Sequence, residues 1–351
     1  MNRSRSRGAV LGFALLVALG FAPQVGRLVH VDTSIISEVL LTAIAAMAVN
    51  LLLGYIGLNA FGTASFFGLG AYGAALSIAN YHVGFVTALL VGTIAALLGA
   101  CVIAPFLLRR RGIYFALLFI AFGQVFYFLA YRFSNITGGE DGMSFPRPPL
   151  HLGPLHRSVD ELGMYYVTYS LFVLSTIVMW LLVRSPFGRT LNAIRQNELR
   201  VRYLGLNTDR FIFVGILVAA VFSGIGGALY GLLLRFAFPL LLDWHQSGDF
   251  VLMTILGGSG TIFGPLLGAL IFVLGKDIIS TITPLWQIFL GGFFVICVLG
   301  FPKGIVGTIG DLIARRAASP VLAEENALDV SVLGAAAREP GVTEGTPRRR
   351  P

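Results

Sequence analysis

The sequence predicts an all-α polytopic membrane protein with about ten transmembrane segments (eight to ten), some of them broken or half helices. Three observations predict it. Of 351 residues, 56% are hydrophobic and only 12% charged, whereas soluble domains carry about 25% charged residues. Apolar runs recur along the chain, most of them close to the ~20 residues that cross a ~30 Å hydrocarbon core. The basic residues gather in clusters beside those runs, as the positive-inside rule arranges them.

The elements follow in order. Arg3, Arg5 and Arg7 make a basic arm over residues 1–8. The run Ala9 to Ala22 has the outline of a signal peptide, but Pro23 makes a poor cleavage junction, so it reads as an uncleaved first span. Further apolar runs cover 36–53, 62–80, 85–108, 113–131, 164–183, 211–233, 248–258, 262–280 and 285–301. In lipid each must satisfy its own backbone, which here means helices. The ~10-residue alternating strands of a barrel are absent from the pattern. The run 248–258 is too short to cross and reads as a half helix. The 43 glycines suit close helix packing.

Ten crossings place four basic clusters on one side, the cytoplasm: the N-terminal arm, Arg109 to Arg111, the arginines of 184–210, and Lys303 with Arg315 and Arg316. Both termini then lie there too. The loop 132–163 faces outward and mixes Arg132, Arg147 and Arg157 with Glu140, Asp141, Asp160 and Glu161. The apolar, membrane-spanning body covers 9–310, with the loops 132–163 and 184–210 inside it. Residues 311–351, rich in Pro, Glu, Ala and Gly, carry no apolar face and are expected to be a disordered cytoplasmic tail.

Several function classes fall away. The net charge of +8 is clustered beside apolar runs rather than spread over a face with aromatic platforms, so no nucleic-acid partner is expected. Cys101 and Cys297 fit no metal or redox spacing and read as packing residues. The five histidines form no ligand pair at helical spacing. No nucleophile elbow, paired carboxylates or GxxxxGK[ST] phosphate loop is visible, so neither catalysis nor a cofactor is expected, and energy for uphill transport must come from another chain. No span carries a charged residue well inside it, except Glu38 and the pair Lys276 with Asp277, which sit near predicted ends, and this scarcity weighs against a self-contained ion-coupled pump.

A polar island, Ser185 through Arg210, separates two spans. Apolar residues at Phe187, Leu191, Ile194, Val201 and Leu204 fall on one helical face, interrupted by Glu198. Arg189, Asn192, Gln196 and Arg200 lie mostly off it. A short amphipathic helix at a membrane surface reads as a docking element. Glycine-rich stretches at 50–72, 137–142 and 256–268 mark breaks in the spans, and such breaks persist where they are buried in protein or line a cavity. Asn50, Asn59 and Thr63, with Gly257, Gly258 and Gly260, are the candidate lining residues of a solute pathway. Tight helix packing is the other reading of the same stretches.

Asn50-Leu-Leu-Leu-Gly-Tyr with Phe66-Phe-Gly-Leu-Gly-Ala-Tyr72, Arg111-Gly-Ile-Tyr-Phe-Ala116, Thr137-Gly-Gly-Glu-Asp-Gly142, Ser185-Pro-Phe-Gly-Arg-Thr-Leu-Asn-Ala-Ile-Arg195, Leu204-Gly-Leu-Asn207, Leu256-Gly-Gly-Ser-Gly-Thr261, Gly264-Pro-Leu-Leu-Gly-Ala269 and Phe301-Pro-Lys-Gly304 occur in this order. Together, over roughly 35–310, they resemble the LivM-type permeases of branched-chain amino-acid ABC importers. The resemblance implies alternating access in the bacterial inner membrane. It also implies four partners besides lipid: a homologous LivH-type permease, two cytoplasmic ATPases and a periplasmic solute-binding protein. The island becomes the coupling helix, with Phe187, Gly188, Arg189, Ile194, Arg195, Glu198 and Gly205 as its docking residues. Leu58-Asn-Ala-Phe-Gly-Thr-Ala stands where the family commonly has Ser-Phe-Gly-His, and Arg200-Val-Arg-Tyr203 where small and acidic residues are common. Urea, amides and aromatic or other carboxylates are the alternative solutes. A self-sufficient channel or secondary transporter is the alternative of a different class.

Overall fold

The computed structural model describes residues 32–301, apart from 147, 149, 153–154 and 158–160, together with 304–308 and positions 20, 23 and 24. The arm 1–8, the expected first span at Ala9 to Ala22 and the tail 311–351 lie outside the described residues.

The bundle is helical where the apolar runs predict it. Helix α1 (Thr33–Val49) continues into a π-helical segment (Asn50–Ile56). Then follow α2 (Thr63–Tyr81), α3 (Phe85–Leu107), α4 (Ile113–Arg132) and α5 (Glu161–Arg184). The island forms α6 (Pro186–Gln196) and α7 (Glu198–Tyr203). The chain ends in α8 (Thr208–Leu234), α9 (Trp244–Gly257), α10 (Gly264–Ile282) and α11 (Trp286–Gly300). Among the described residues, 6 helices are long and apolar enough to cross a membrane. Helices α9 and α11 are shorter. The structure therefore supports a multi-span bundle with half helices.

Four short strands add to the all-α reading. β1 (Met143–Ser144) pairs antiparallel with β4 (Phe236–Ala237), Met143 opposite Ala237. β2 (Leu150–Leu152) pairs antiparallel with β3 (Leu155–Arg157). The β1–β4 ladder ties the loop expected over 132–163 to the end of α8. Gly142 and Phe145 reinforce the join, Phe145 donating its amide to the Arg235 carbonyl at 3.2 Å.

α1 is the central helix. From Val39 to Leu52 nearly every side chain is buried, because α5, α8, α9 and α10 all pack around it. The outer helices differ. On α3, Val86, Leu90, Ile94, Leu98 and Val102 repeat every four residues and are exposed, an apolar stripe suited to lipid or another membrane chain. Opposite that stripe, small residues let backbones meet. α2 runs parallel to α8, with Thr63 against Ser223, Phe67 against Gly227 and Ala71 against Gly231. A Cβ at Gly227 would stand 1.8 Å from the Phe67 carbonyl oxygen. Membrane helices gain little from apolar burial between themselves, so this close packing is what holds them.

Gly227→Val forces α2 and α8 apart. The expected cost is at least the ~1–3 kcal/mol of ordinary overpacking. Thermal unfolding of the detergent-solubilised protein should show a lower Tm, and Gly275→Ala on α10, with its nearest neighbour at 3.5 Å, should leave it nearly unchanged.

Candidate functional site

Two features converge at one end of the bundle: the polar island, and the break between α9 and α10. Three side-chain caps shape the island. The Ser185 hydroxyl accepts the Gly188 amide at 3.3 Å, with Pro186 in the first turn of α6. Asn197 accepts the Arg200 amide at 2.9 Å and starts α7. Asn207 accepts the Arg210 amide at 3.3 Å and starts α8. Each cap takes up one of the orphan amides of a helix start. Asn197 is in an extended conformation, so the single helical face expected through Leu204 is broken there. This is why Glu198 does not disturb the apolar row, and why Leu204 does not join it: Leu204 is 76% exposed.

The face toward the bundle is apolar. Leu191, Ile194 and Val201 are buried. Phe187 stacks on Phe211 of α8, ring centres 5.8 Å apart. Gly188 lies against the end of α5, where a Cβ would be 2.4 Å from the Val183 carbonyl oxygen. Arg195 reaches past this face and donates through Nη1 to the carbonyl of Gly54 in the π-helical segment. Arg189 is exposed and forms no ion pair among the described residues. Gly205 sits in an open turn with positive φ.

Glu198 is the centre of a charged knot. Its carboxylate accepts Arg111 Nε at 3.0 Å and Nη2 at 3.1 Å, Arg202 Nη2 at 3.0 Å and the Thr208 hydroxyl at 3.1 Å. Arg111 also meets Asp209 at 2.5 Å. The basic turn between α3 and α4 is thus fastened to the island. These groups border a cleft of about 490 Å³ with Leu108, Arg109 and Leu199. Burial alone would push the Glu198 carboxyl up, but the hydrogen bonds and charge of Arg111, with Thr208 and Arg202, outweigh it and hold the group below its ordinary value. Burial likewise pulls Arg111 down, and Glu198 and Asp209 return it above its ordinary value.

The second feature is the turn between α9 and α10. Asn50 is buried. Its Nδ2 donates to the Thr261 carbonyl at 2.7 Å and its Oδ1 accepts the Gly260 amide at 2.8 Å. One side chain thereby satisfies both backbone groups of a turn that no helix closes. Only glycine fits the approach: a Cβ at Gly54 would lie 2.5 Å from the Gly260 nitrogen. Gly257 meets the Gly264 backbone, where a Cβ would be 1.8 Å from its oxygen. Gly258 packs under Gly304, which follows the Phe301-Pro-Lys segment. The π-helical segment therefore joins the two features, Arg195 binding it from the island and Asn50 binding the turn. Widened π-helical turns recur at functional sites.

The six lining candidates separate. Asn50, Gly257, Gly258 and Gly260 come together at this turn. Asn59 is exposed. Thr63 is fully buried, its hydroxyl donating to the Ala60 carbonyl at 3.1 Å and its own carbonyl accepting Ser223 Oγ at 3.0 Å. Sequence reasoning did not find Arg111 or Asp209 as members of the knot, nor Gly54 as the seat of Arg195. The RRR run was the available signal, read only for topology. Among the described residues no three His, Cys, Asp or Glu side chains converge as metal ligands.

Comparison with known proteins bears on this arrangement. Residues 33–299 match the family model described as branched-chain amino acid transport system / permease component. The chain belongs to this permease family. It is 29% identical over 83% of its length, and 73% of the relative's, to the high-affinity branched-chain amino acid transport system permease protein LivM of Salmonella typhimurium. It is 30% identical over 75% of its length, and 67% of the relative's, to the LivM protein of Escherichia coli. A shorter likeness, 24% identical over 35% of this chain and 39% of the relative, reaches the guanosine ABC transporter permease protein NupQ of Bacillus subtilis. No solved structure matches this chain. As a member of the family the chain is a multi-pass membrane transport component, and the relatives named here are transport proteins rather than enzymes.

Two outcomes test the site in this permease. Asn50→Ala leaves the Gly260 amide and the Thr261 carbonyl without their partner, at about 1–3 kcal/mol for each buried group. A clear loss of Tm in detergent is expected, and Asn50→Asp, which keeps only the acceptor, should fall between. Glu198 gives a pH signature. A depressed carboxyl contributes stability that is complete above the ordinary carboxylate pKa and is lost as pH falls through the folded value. Glu198→Gln should thus be less stable than wild type at pH 7, by about 1 kcal/mol, with the gap closing below about pH 4. Thermal unfolding across that range checks it.

Proposed function

We propose that this chain is the permease subunit of an ABC importer, carrying branched-chain or related amino acids across a bacterial inner membrane by alternating access. Membership in the permease family supports the class, and the two LivM relatives support the solute. The guanosine-permease likeness covers too little of either chain to redirect it. No phosphate loop is present in the sequence, so the work comes from separate ATPase subunits. A homologous second permease and a solute-binding protein complete the assembly. The island faces the cytoplasm with both termini, in agreement with its arginines.

One observation carries the coupling role. The island is anchored by Leu191, Ile194, Val201 and the Glu198 knot, yet turns a mixed surface outward. Arg189 is exposed and without an ion pair among the described residues. Leu199, Tyr203, Leu204 and Leu206 are exposed beside it, Tyr203 at 87%. Exposed large apolar groups with a polar rim mark a partner site. Arg189 and these side chains seat in the ATPase, while Phe187, Gly188, Ile194 and Glu198 hold the island to the bundle and Arg195 passes its movement to the π-helical segment. ATP-driven closure of the ATPases shifts the island, and the shift reaches the α9–α10 turn through Gly54 and Asn50. A ligand-driven change of this kind requires contacts that differ between two states, and the open α9–α10 turn is the element able to differ.

Arg189→Glu and Tyr203→Asp should each lower ATPase copurification and reduce leucine uptake about tenfold, as loss of a central interface contact of ~1.4 kcal/mol or more would. Arg195→Glu should abolish uptake while the ATPases still copurify. Normal uptake and normal copurification in the first two variants would refute the docking surface.

A further inference from the structure

A set of charged and polar side chains at the other end of the bundle takes no part in coupling. Glu38 lies on α1, His245 and Asp249 lie one turn apart on α9, and Lys276 lies on α10. Helices α9 and α10 run antiparallel, with Gly264 against Gly257 and Gly268 against Met253. Continuing that register places Lys276 level with His245. Lys276 acts electrostatically on both Glu38 and Asp249, and His245 on Asp249. Neither carboxylate is ion-paired among the described residues. The Lys276 ammonium lies 5.6 Å from the ring centre of Trp286.

His245 is fixed but open. Asp243 caps α9, accepting the His245 amide at 2.9 Å and meeting Nδ1 at 2.5 Å. Its other oxygen accepts Gln124 Nε2 at 3.3 Å. Gln124 is near the midpoint of α4, so Asp243 meets that helix about half-way along its length. Even so, the His245 side chain is 75% exposed, and Trp244, packed on it with ring centres 3.9 Å apart, is exposed too. An exposed imidazole and unpaired carboxylates would cost several kcal/mol in hydrocarbon. Groups of this kind within membrane helices usually meet protein, water or a solute rather than lipid. Opposite charges that do not neutralise one another match a solute that carries both.

We propose that Glu38, Asp249, Lys276 and His245 form a binding site for the head group of a zwitterionic α-amino acid. Asp249 and Glu38 take the ammonium and Lys276 takes the carboxylate. His245 is oriented by the contact of its Nδ1 with Asp243 and offers its exposed ring edge to the solute. Trp244 offers an apolar surface to an aliphatic side chain. The inference rests on the amino-acid reading above and assigns the residues that reading lacks.

The test uses the complete importer in liposomes, with radiolabelled leucine and saturating binding protein. Lys276→Gln and Asp249→Asn should each cut the initial uptake rate about tenfold or more, the loss of one charge-assisted contact. Lys276→Arg and Asp249→Glu, which keep the charge, should retain more than about a third of it. His245→Gln, at an exposed position that does not threaten folding, should lower it about threefold and leave copurification of all subunits intact. Wild-type uptake in Lys276→Gln and Asp249→Asn overturns the site while the importer reading stands. Equal loss in the charge-keeping and neutral variants, or an unaltered rate in His245→Gln, overturns it as well. A wild-type importer that takes up no aliphatic amino acid overturns the amino-acid reading and the site together.

Discussion

Backbone groups inside a bilayer have no water to turn to, and the architecture of this permease follows from how each finds a partner. Most find one within a regular helix. The exceptions lie where α1 widens into its π-helical segment and where the chain turns between α9 and α10. There the partners are side chains. Asn50 takes the amide of Gly260 and the carbonyl of Thr261. Arg195 takes the carbonyl of Gly54. These two residues complete the irregular backbone: Asn50 belongs to the π-helical segment and reaches out to the turn, whereas Arg195 reaches in to the segment from the island.

That arrangement links mechanics to chemistry. A fully regular helix would leave the island nothing to hold except side chains. The widened turn offers a carbonyl instead, and charge-assisted bonds to a guanidinium are among the stronger ones a protein makes. The Glu198 knot adds a second attachment, between the island and the α3–α4 turn. The island is thus fixed to the bundle at two points. The other end of the bundle has a different economy of charge. There Lys276 acts electrostatically on Glu38 and Asp249, yet neither carboxylate is ion-paired among the described residues, and the proposed solute site rests on that.

The two ends also differ in what glycine does. Near the island, glycines at 54 and 257 permit backbone to touch backbone across the α9–α10 turn. In the middle of the bundle, Gly70, Gly224 and Gly227 bring α2 against α8. The second use is packing of the kind any membrane bundle needs. The first is specific to a turn held by side chains and backbone contact without a regular ladder.

The apolar helices of the described residues and the island were legible in the sequence, because hydropathy acts over a few residues; the caps at Ser185, Asn197 and Asn207 came only with the structure. The short reach of 248–258 was enough to mark α9 as incomplete. The docking element was legible as a pattern, but its inward and outward faces were not: Glu198 and Arg195 look like solvent-facing charges in a linear reading. Their partners are distant in the chain, 87 residues for Arg111 with Glu198 and 141 for Arg195 with Gly54. Asn50 was recognised as a polar residue in an apolar run, and only its contact 211 residues away with Thr261 decided that it closes a turn. Local physics thus determined which segments form apolar helices. Tertiary structure alone decided which polar groups are consumed in holding the bundle together and which remain for a partner or a solute, because that choice depends on pairings between helices that no local pattern encodes.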